Sequence, residues 1–311
     1  MTIADLDIIR FDLKYIPEFQ ELMNACFGHS YSEEKIRKIF DTEKFGAAKI
    51  AYLALDKGRP AGFYGVFPVR MNYFGKEITV AQSGSTMTHP DYQGLGLFTT
   101  LAKMCYDLAK SEGIKFVFGW PNKNSYPGFK KKLAWQEMGS LKKFSSRQLT
   151  IPLSRAASRF GFLSGLYRAY CAAILFFYKK YDEGFEIPEV DRTVYIPRST
   201  DYLAYKNVNH PVLIKILDVK VIFKIDSGMR IGDMTECSPE KFSRVLKKLK
   251  KLAFFLGASE ISFLTSPGTT WEKKFTGIWK EEALLPHMYV QFYDEYPLPG
   301  GYFTNLDADT F

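Results

Sequence analysis

A strand-like run from Ile78 to Thr88 stops at Pro90, a loop with glycines at 94 and 96 follows, and a helix opens at once. Along that helix Leu97, Leu101, Met104, Cys105 and Leu108 recur at the three-to-four spacing of a single buried face. Gly113 is a C-terminal stop, and the apolar run Lys115 to Trp120 predicts another strand. Upstream, the same reading predicts a strand at Ile8–Phe11, helices at Ile16–Phe27 and Ser32–Phe40, and strands at Lys49–Leu55 and Gly62–Tyr73. These pieces make an α/β (α+β) fold: a mixed, mostly antiparallel sheet with helices on both faces.

The second half is expected to repeat the first, the plain alternative being two similar strand–helix–strand units by chance. Alternating positions predict strands at Val212–Leu217 and Val219–Ile225. Val245, Leu246, Leu249, Leu252, Ala253 and Leu256 form the apolar face of a helix, opposite Lys247, Lys248, Lys250 and Lys251. That lysine cluster reads as a solvated helix face. Met87-Thr88 leads to Trp120-Pro121, as Met234-Thr235 leads to Ser266-Pro267; the offset is 147 residues at the methionine and 146 at the proline. Each copy then runs through a short helix to a tryptophan, Trp135 or Trp279. Matching offsets predict two copies of one supersecondary unit. Asp182 to Pro197 mixes acidic residues with Pro188 and Pro197, as linkers do. The expected organisation is a first domain over 1–150, a helical linker over 151–192 and a second, degenerate copy over 193–311.

Composition changes this picture little. Of 311 residues, 46% are apolar and 24% charged, as in a soluble globular protein with a sizeable core. The net charge of +8 favours acidic ligands. No basic cluster with interleaved aromatics makes a nucleic-acid groove, so no nucleic acid is expected. Cys26, Cys105, Cys171 and Cys237 lie far apart, and His29, His89, His210 and His287 are scattered singly. Neither set has the spacing of a metal site, and the cysteines fit a reducing cytoplasm. The N-terminal residues have no basic start and no apolar core, unlike a signal peptide. Phe160 to Tyr178 is rich in apolar and aromatic residues but carries Arg168 at its centre. It reads either as an inter-domain helix packed on its own protein or, with Arg155, Arg159, Lys179 and Lys180 beside it, as a peripheral membrane contact over 160–178.

The loop at 93–98 carries the chemistry. Glycines admit close backbone approach, and the first helical turn has unpaired N–H groups and partial positive charge, so a phosphate can sit there. A dinucleotide fingerprint would need glycine at position 99, which is Thr99, and no Gly-Lys-Ser/Thr supplies a P-loop. A tight strand-to-helix turn without a ligand is the plain alternative. Gln93 and Gly96, with Phe98 at a position usually small, resemble motif A of the GNAT acyltransferases. Asn122 to Phe129, ending at Ala134-Trp135, is similar to the GNAT segment in which an Asn opens a helix beneath the cofactor and a Gly-Phe pair closes it. The resemblance covers about residues 8–148 and looks most like a branch associated with bacterial capsule and exopolysaccharide synthesis. A weaker likeness to tandem GNAT proteins begins at Asp201 to Pro211.

The resemblance implies that Gln93, Gly94, Leu95, Gly96, Leu97, Phe98 and Asn124 bind acetyl-coenzyme A. It also implies that amides near Met87 and Thr88 polarise the thioester carbonyl. The tyrosine usual in the family falls at Lys130, which leaves Tyr126 as the nearest acid, or as a packed aromatic at the helix start. No carboxylate lies on the motif-A strand. Ser83, Ser85, a water chain and the terminal carboxylate of Phe311 are the base candidates, and His89 in its turn reads as structural. The second copy has Ser238 and Pro239 in place of the loop, which cap a helix from within. The leading expectation is an acetyl-coenzyme A-dependent N-acetyltransferase acting on a small-molecule amine, an amino sugar among the candidates. The alternatives are a non-catalytic coenzyme-binding or membrane-peripheral module, and a tandem transferase using an aminoacyl donor.

Overall fold

The computed structural model describes residues 2–298 and 300–308, except the side chain of Leu285. In chain order the elements begin with β1 (Asp7–Arg10), α1 (Ile16–Phe27), α2 (Glu33–Ile39), β2 (Ile50–Asp56), β3 (Arg59–Tyr73) and β4 (Lys76–Thr88). Then come α3 (Leu97–Ser111), β5 (Phe116–Gly119), α4 (Tyr126–Lys132), β6 (Gln136–Arg147), α5 (Leu153–Arg159) and α6 (Ser164–Leu175). The chain continues with β7 (Val194–Tyr195), α7 (Thr200–Lys206), β8 (Val212–Ile216), β9 (Val219–Ile225) and β10 (Met229–Met234). It closes with α8 (Pro239–Phe255), β11 (Glu260–Thr265), α9 (Thr270–Phe275) and β12 (Lys280–Gln291). The mixed sheet with flanking helices is the one expected from the sequence pattern.

Two compact units emerge. Unit 1 holds Met1–Gly139 and Leu285–Pro299, and unit 2 holds Ser140–Leu284 and Gly300–Phe311. The unit 1 sheet runs β1-β2-β3-β4-β5-β12, and its pairs are antiparallel except β4 with β5. Two hairpins turn on residue pairs with positive φ, Lys57-Gly58 and Phe74-Gly75, the twist that suits tight hairpins. Period-two alternation along β3 divides the core. Tyr64 and Val66 face Leu97, Leu101 and Cys105 of α3, whereas Phe63 and Phe67 face Phe19 and Leu22 of α1 and Ile36 of α2.

In unit 2 the order is β6-β11-β10-β9-β8, again antiparallel except for β10 with β11. The apolar face of α8 buries Val245, Leu246, Leu249 and Leu252 against Phe223, Ile231, Ile261 and Phe263. Three antiparallel strands, a helix, a parallel strand, a short helix and a last strand follow one another in both stretches, β2 to β6 and β8 to β12. Both third strands bulge. In β4 the register shifts around Ser85 (φ 53°), and in β10 it shifts at Gly232, so the bulges lie 147 residues apart.

At the β10 bulge Asp233 is fully buried against Arg198 (Nε to Oδ2, 2.7 Å), whose other nitrogens donate to Asp307 at 2.6 and 2.8 Å. Tyr302 donates to Asp233 and Tyr202 to Asp307, so the polar atoms of this ion cluster are met from several sides. The cluster fastens the 304–307 turn to the unit's core.

Candidate active site

A strained strand end feeds the site. β4 and β5 pair at Ala81↔Val117 and Gln82↔Phe118, while β4 runs on through the Ser85 bulge to Thr88. Met87 points into the core against α1, and the Thr88 carbonyl accepts from Cys26 Sγ at 3.4 Å. His89 accepts from the Asp91 amide (3.2 Å) and caps the turn at Pro90–Tyr92, a structural role.

Beyond that turn Gly94 and Gly96 take φ of 83° and 87°, the left-handed region in which a β-carbon is strained. Above Gly94 no atom lies within 4 Å of where that carbon would stand, and above Gly96 only Ile3 does, at 3.6 Å. Gly96 is the N-cap of α3 and has no side chain to cap with. Among the described residues the amides of Gly96, Leu97 and Phe98 meet no protein acceptor of good geometry. Three free N–H groups at the positive end of a 15-residue helix, over open space, suit an anionic oxygen cluster. Gln93 is exposed at the rim of this loop.

Phe98 joins the loop to α4. Its ring packs on Phe129 (centroids 5.2 Å apart) and so closely on Gly128 that a β-carbon there would lie 3.0 Å from it. The bulky side chain at a position usually small thus fills space beside α4. Asn122 closes the turn that leads into α4: its Oδ1 accepts from the amides of Asn124 and Ser125 at 2.9 and 3.0 Å, and Ser125 is the N-cap position of the helix. Asn124 itself is exposed in that turn.

Tyr126 begins α4 with its ring half-buried in the apolar cluster under the loop. Its hydroxyl donates to Glu137 Oε1, and Lys130 Nζ, one turn on, donates to both. Hydrogen bonds from Lys130 and then Tyr126 hold the Glu137 carboxyl below its ordinary value, and Glu137 holds the Lys130 ammonium above its own. Sequence reasoning missed Glu137. It comes within reach because Ala134 adopts φ 54° and reverses the chain between α4 and β6, at the place the resemblance gives to glycine.

A second missed feature is a buried chain of hydroxyls. Ser83 donates to the Tyr64 hydroxyl (2.9 Å), which shares a bond with the Tyr106 hydroxyl (2.8 Å), and Trp135 donates to Tyr106 (2.9 Å). Burial pushes the Tyr64 hydroxyl well above the ordinary phenol range, so it stays neutral. The chain ties β4, β3, α3 and the turn after α4 to one another, and those are the elements that frame the loop. The chain was not legible in the sequence, since nothing in linear spacing pairs residues 64, 106 and 135.

Ser83 is thereby occupied as a donor, and Ser85 sits at the bulge. Phe311 lies outside the described residues. Among the described residues no group of three or more His, Cys, Asp or Glu side chains could hold a metal ion, and no helix is long and apolar enough to cross a membrane.

Comparison with known proteins agrees with this geometry. The family model described as "Acetyltransferase (GNAT) domain" matches residues 7–138. A GCN5-related N-acetyltransferase from Kribbella flavida shares the fold at 12% identity and a TM-score of 0.57, over 92% of this chain and 72% of that one. A conserved protein of unknown function from Enterococcus faecalis V583 matches at 14% identity and a TM-score of 0.57, with the same coverage. A GCN5-related N-acetyltransferase from Anabaena variabilis matches at 13% identity and a TM-score of 0.52, over 91% of this chain and 72% of that one. Among curated protein sequences nothing matches. The stretch that matches the acetyltransferase model, residues 7–138, holds both the glycine loop and α4.

Proposed function

We propose that this protein transfers an acetyl group from acetyl-coenzyme A to the amine of a small molecule, with amino sugars the first class to test. The observation that carries the reading is the row of free amides at Gly96, Leu97 and Phe98 under two left-handed glycines. That cradle suits a pyrophosphate, and a coenzyme thioester held there supplies the acetyl group. Gln93, Gly94 and Leu95 line the same loop, and Asn124 lies at the neighbouring helix start.

In this reading backbone amides near Met87 and Thr88, at the free end of β4, donate to the acetyl carbonyl oxygen. The amine nitrogen forms its bond to the carbonyl carbon as the carbon–sulfur bond breaks. Tyr126 gives its hydroxyl proton to the departing sulfur, the amine releases a proton to solvent, and the Tyr126 oxygen regains a proton from solvent before the next turnover. Glu137 holds the phenol in place, and Lys130 offsets the carboxylate's charge. The second stretch, β8 to β12, is a copy of the first that has lost the loop. Ser238 caps α8 by accepting from the Lys241 amide, and Pro239 takes the first helical position. The likeness to tandem GNAT proteins and to the polysaccharide-associated branch rests on this repeat and on Asn122 to Tyr126. The reaction is proposed for the cytoplasm, a setting that the four free cysteines suit.

The test is a thermal-shift comparison of acetyl-coenzyme A, free coenzyme A and nucleotides, followed by thiol-release assays over a panel of amines that includes glucosamine. A shift with both coenzymes and release with at least one amine is expected. Stabilisation by nucleotides alone, or no stabilisation at all, would refute the reading.

A further inference from the structure

Unit 2 turns an apolar helix face outward. The inner side of α6 packs Cys171, Ile174 and Leu175 onto the unit's core, and the Tyr167 hydroxyl donates to the Leu256 carbonyl at 2.7 Å. Its outer side carries Leu166, 74% exposed, and runs on into Phe176 and Phe177, 80% and 85% exposed. Phe162, just before the helix, is 80% exposed. The end of α8 adds Phe254 and Phe255, both about half exposed. Tyr170 of α6 donates to the Phe255 carbonyl (2.6 Å), and the segment before α6 is tied to the same helix end, Thr150 donating to the Phe254 carbonyl (2.7 Å) and Ser154 of α5 to the Gly257 carbonyl (3.0 Å). So many large rings on one surface mark a binding face.

Charge decides what the face binds. Between Glu137 and Asp182 there is no acidic residue, whereas Arg155, Arg159, Arg168, Lys179 and Lys180 are all present and exposed. On α8 there is none between Glu240 and Glu260, and Lys247, Lys248 and Lys251 are exposed. A second copy of this chain that met the face with its own same face would bring like charges and no carboxylate from these segments to offset them. Leucine and alanine among the rings do not make the stacking platform that single-stranded nucleic acid needs. Exposed phenylalanines rimmed by arginines and lysines do match the boundary between acyl chains and anionic headgroups, where the rings insert and the cations stay at headgroup level. Arg168 at the centre of α6 and the shortness of that helix limit it to lying in the surface.

We propose that the face formed by α6, its flanking aromatics and the end of α8 docks this protein on an anionic lipid bilayer. The contact is peripheral, made by rings that dip below the headgroups, and it is independent of acetyl transfer.

The experiment is co-sedimentation of the full chain with phosphatidylcholine vesicles, with and without phosphatidylglycerol, at physiological salt. Three variants are compared with wild type: Phe162→Ser/Phe176→Ser/Phe177→Ser, Arg159→Glu/Lys179→Glu/Lys180→Glu, and the charge-matched control Lys14→Glu/Lys44→Glu/Lys103→Glu. All nine positions are exposed, and the melting midpoint and acetyl-coenzyme A binding of each variant report its folding. Wild type should bind the anionic vesicles, each patch variant should bind at least about tenfold more weakly, and the control should stay within about twofold of wild type. Absence of binding to anionic vesicles overturns the proposal. So does wild-type binding by the Phe→Ser variant, or a loss in the control as large as in the patch variants. Concentration-dependent dimerisation that the Phe→Ser changes abolish would assign the face to self-association instead.

Discussion

In the proposed reaction the proton transfer rests on one atom, the Tyr126 hydroxyl oxygen. That hydroxyl already donates to Glu137, so the ring is oriented by a hydrogen bond as well as by packing. As a proton donor to the leaving sulfur, Tyr126→Phe should lower kcat by ~10²–10⁴-fold and leave the acetyl-coenzyme A Kd nearly unchanged. A fall of only a few-fold would return the side chain to a packing role. His287 is buried and stacked beside Trp120 (centroids 6.3 Å apart). Burial lowers its pKa to about 4, against a smaller upward effect of a hydrogen bond with the Gly139 backbone. The unfolded chain therefore takes up the proton first. This contribution to stability is whole above about pH 6.5 and is lost as pH falls toward 4, by up to about 1.4 kcal/mol per pH unit. Denaturant titrations at pH 7 and 4.5 should show a smaller acid loss for His287→Phe than for wild type, and equal losses would contradict the assignment. The histidine's environment could not be read from a singly placed residue, because its burial depends on a strand that pairs with β5 from far along the chain.

At the scale of elements, the loop and the helix it starts act as one device. Gly96→Glu would force a side chain into the left-handed region and set a carboxylate against the bound phosphates. Calorimetry should show acetyl-coenzyme A binding abolished, with the melting midpoint only modestly changed; titration with wild-type affinity would remove the loop from the site. The ion cluster in unit 2 is the structural counterpart. Arg198 has both Asp233 and Asp307 as partners and is 2% exposed, so Arg198→Ala leaves two buried carboxylates facing each other. The expected cost is about 3–5 kcal/mol in unfolding free energy. Arg198→Met together with Asp233→Asn and Asp307→Asn should recover part of it. A loss below about 1 kcal/mol for Arg198→Ala would show the cluster to be dispensable. The elements themselves were largely legible: α1 spans the predicted residues, and the predicted strands around it hold to within a few positions. Hairpin turns were harder, since Leu217-Asp218 turns with positive φ at both residues and no glycine to announce it.

For the whole molecule the central question is stoichiometry. The repeat offers two loops, but in the second Ser238 closes the helix start and the buried Asp233 pairs with Arg198 at the bulge. We expect calorimetry to give one acetyl-coenzyme A per chain, and a second site of comparable affinity would contradict that. The offset read in the sequence recurs in the spacing of the two bulges, at Ser85 and Gly232. The division of the chain between the units was not visible. β6 leaves unit 1 at Gly139, and β12 enters it at Leu285 to pair with β5. Both strands alternate in the way any half-buried strand does, so their pattern carries no address for the partner.

What the sequence by itself determined is local. Periodicity, glycine spacing and capping residues act within a few positions, and they specify α3, its uncapped N-terminus at Gly96 and the Ser238 cap that replaces it in α8. Tertiary structure alone decided what those pieces meet. It set Glu137 against Tyr126, joined Ser83, Tyr64, Tyr106 and Trp135 through their polar atoms, and buried Arg198 between two aspartates. The reason is physical. A helix start declares its unpaired amides over four residues, whereas a hydrogen bond between residues dozens or a hundred positions apart depends on where a strand pairs and how a turn reverses.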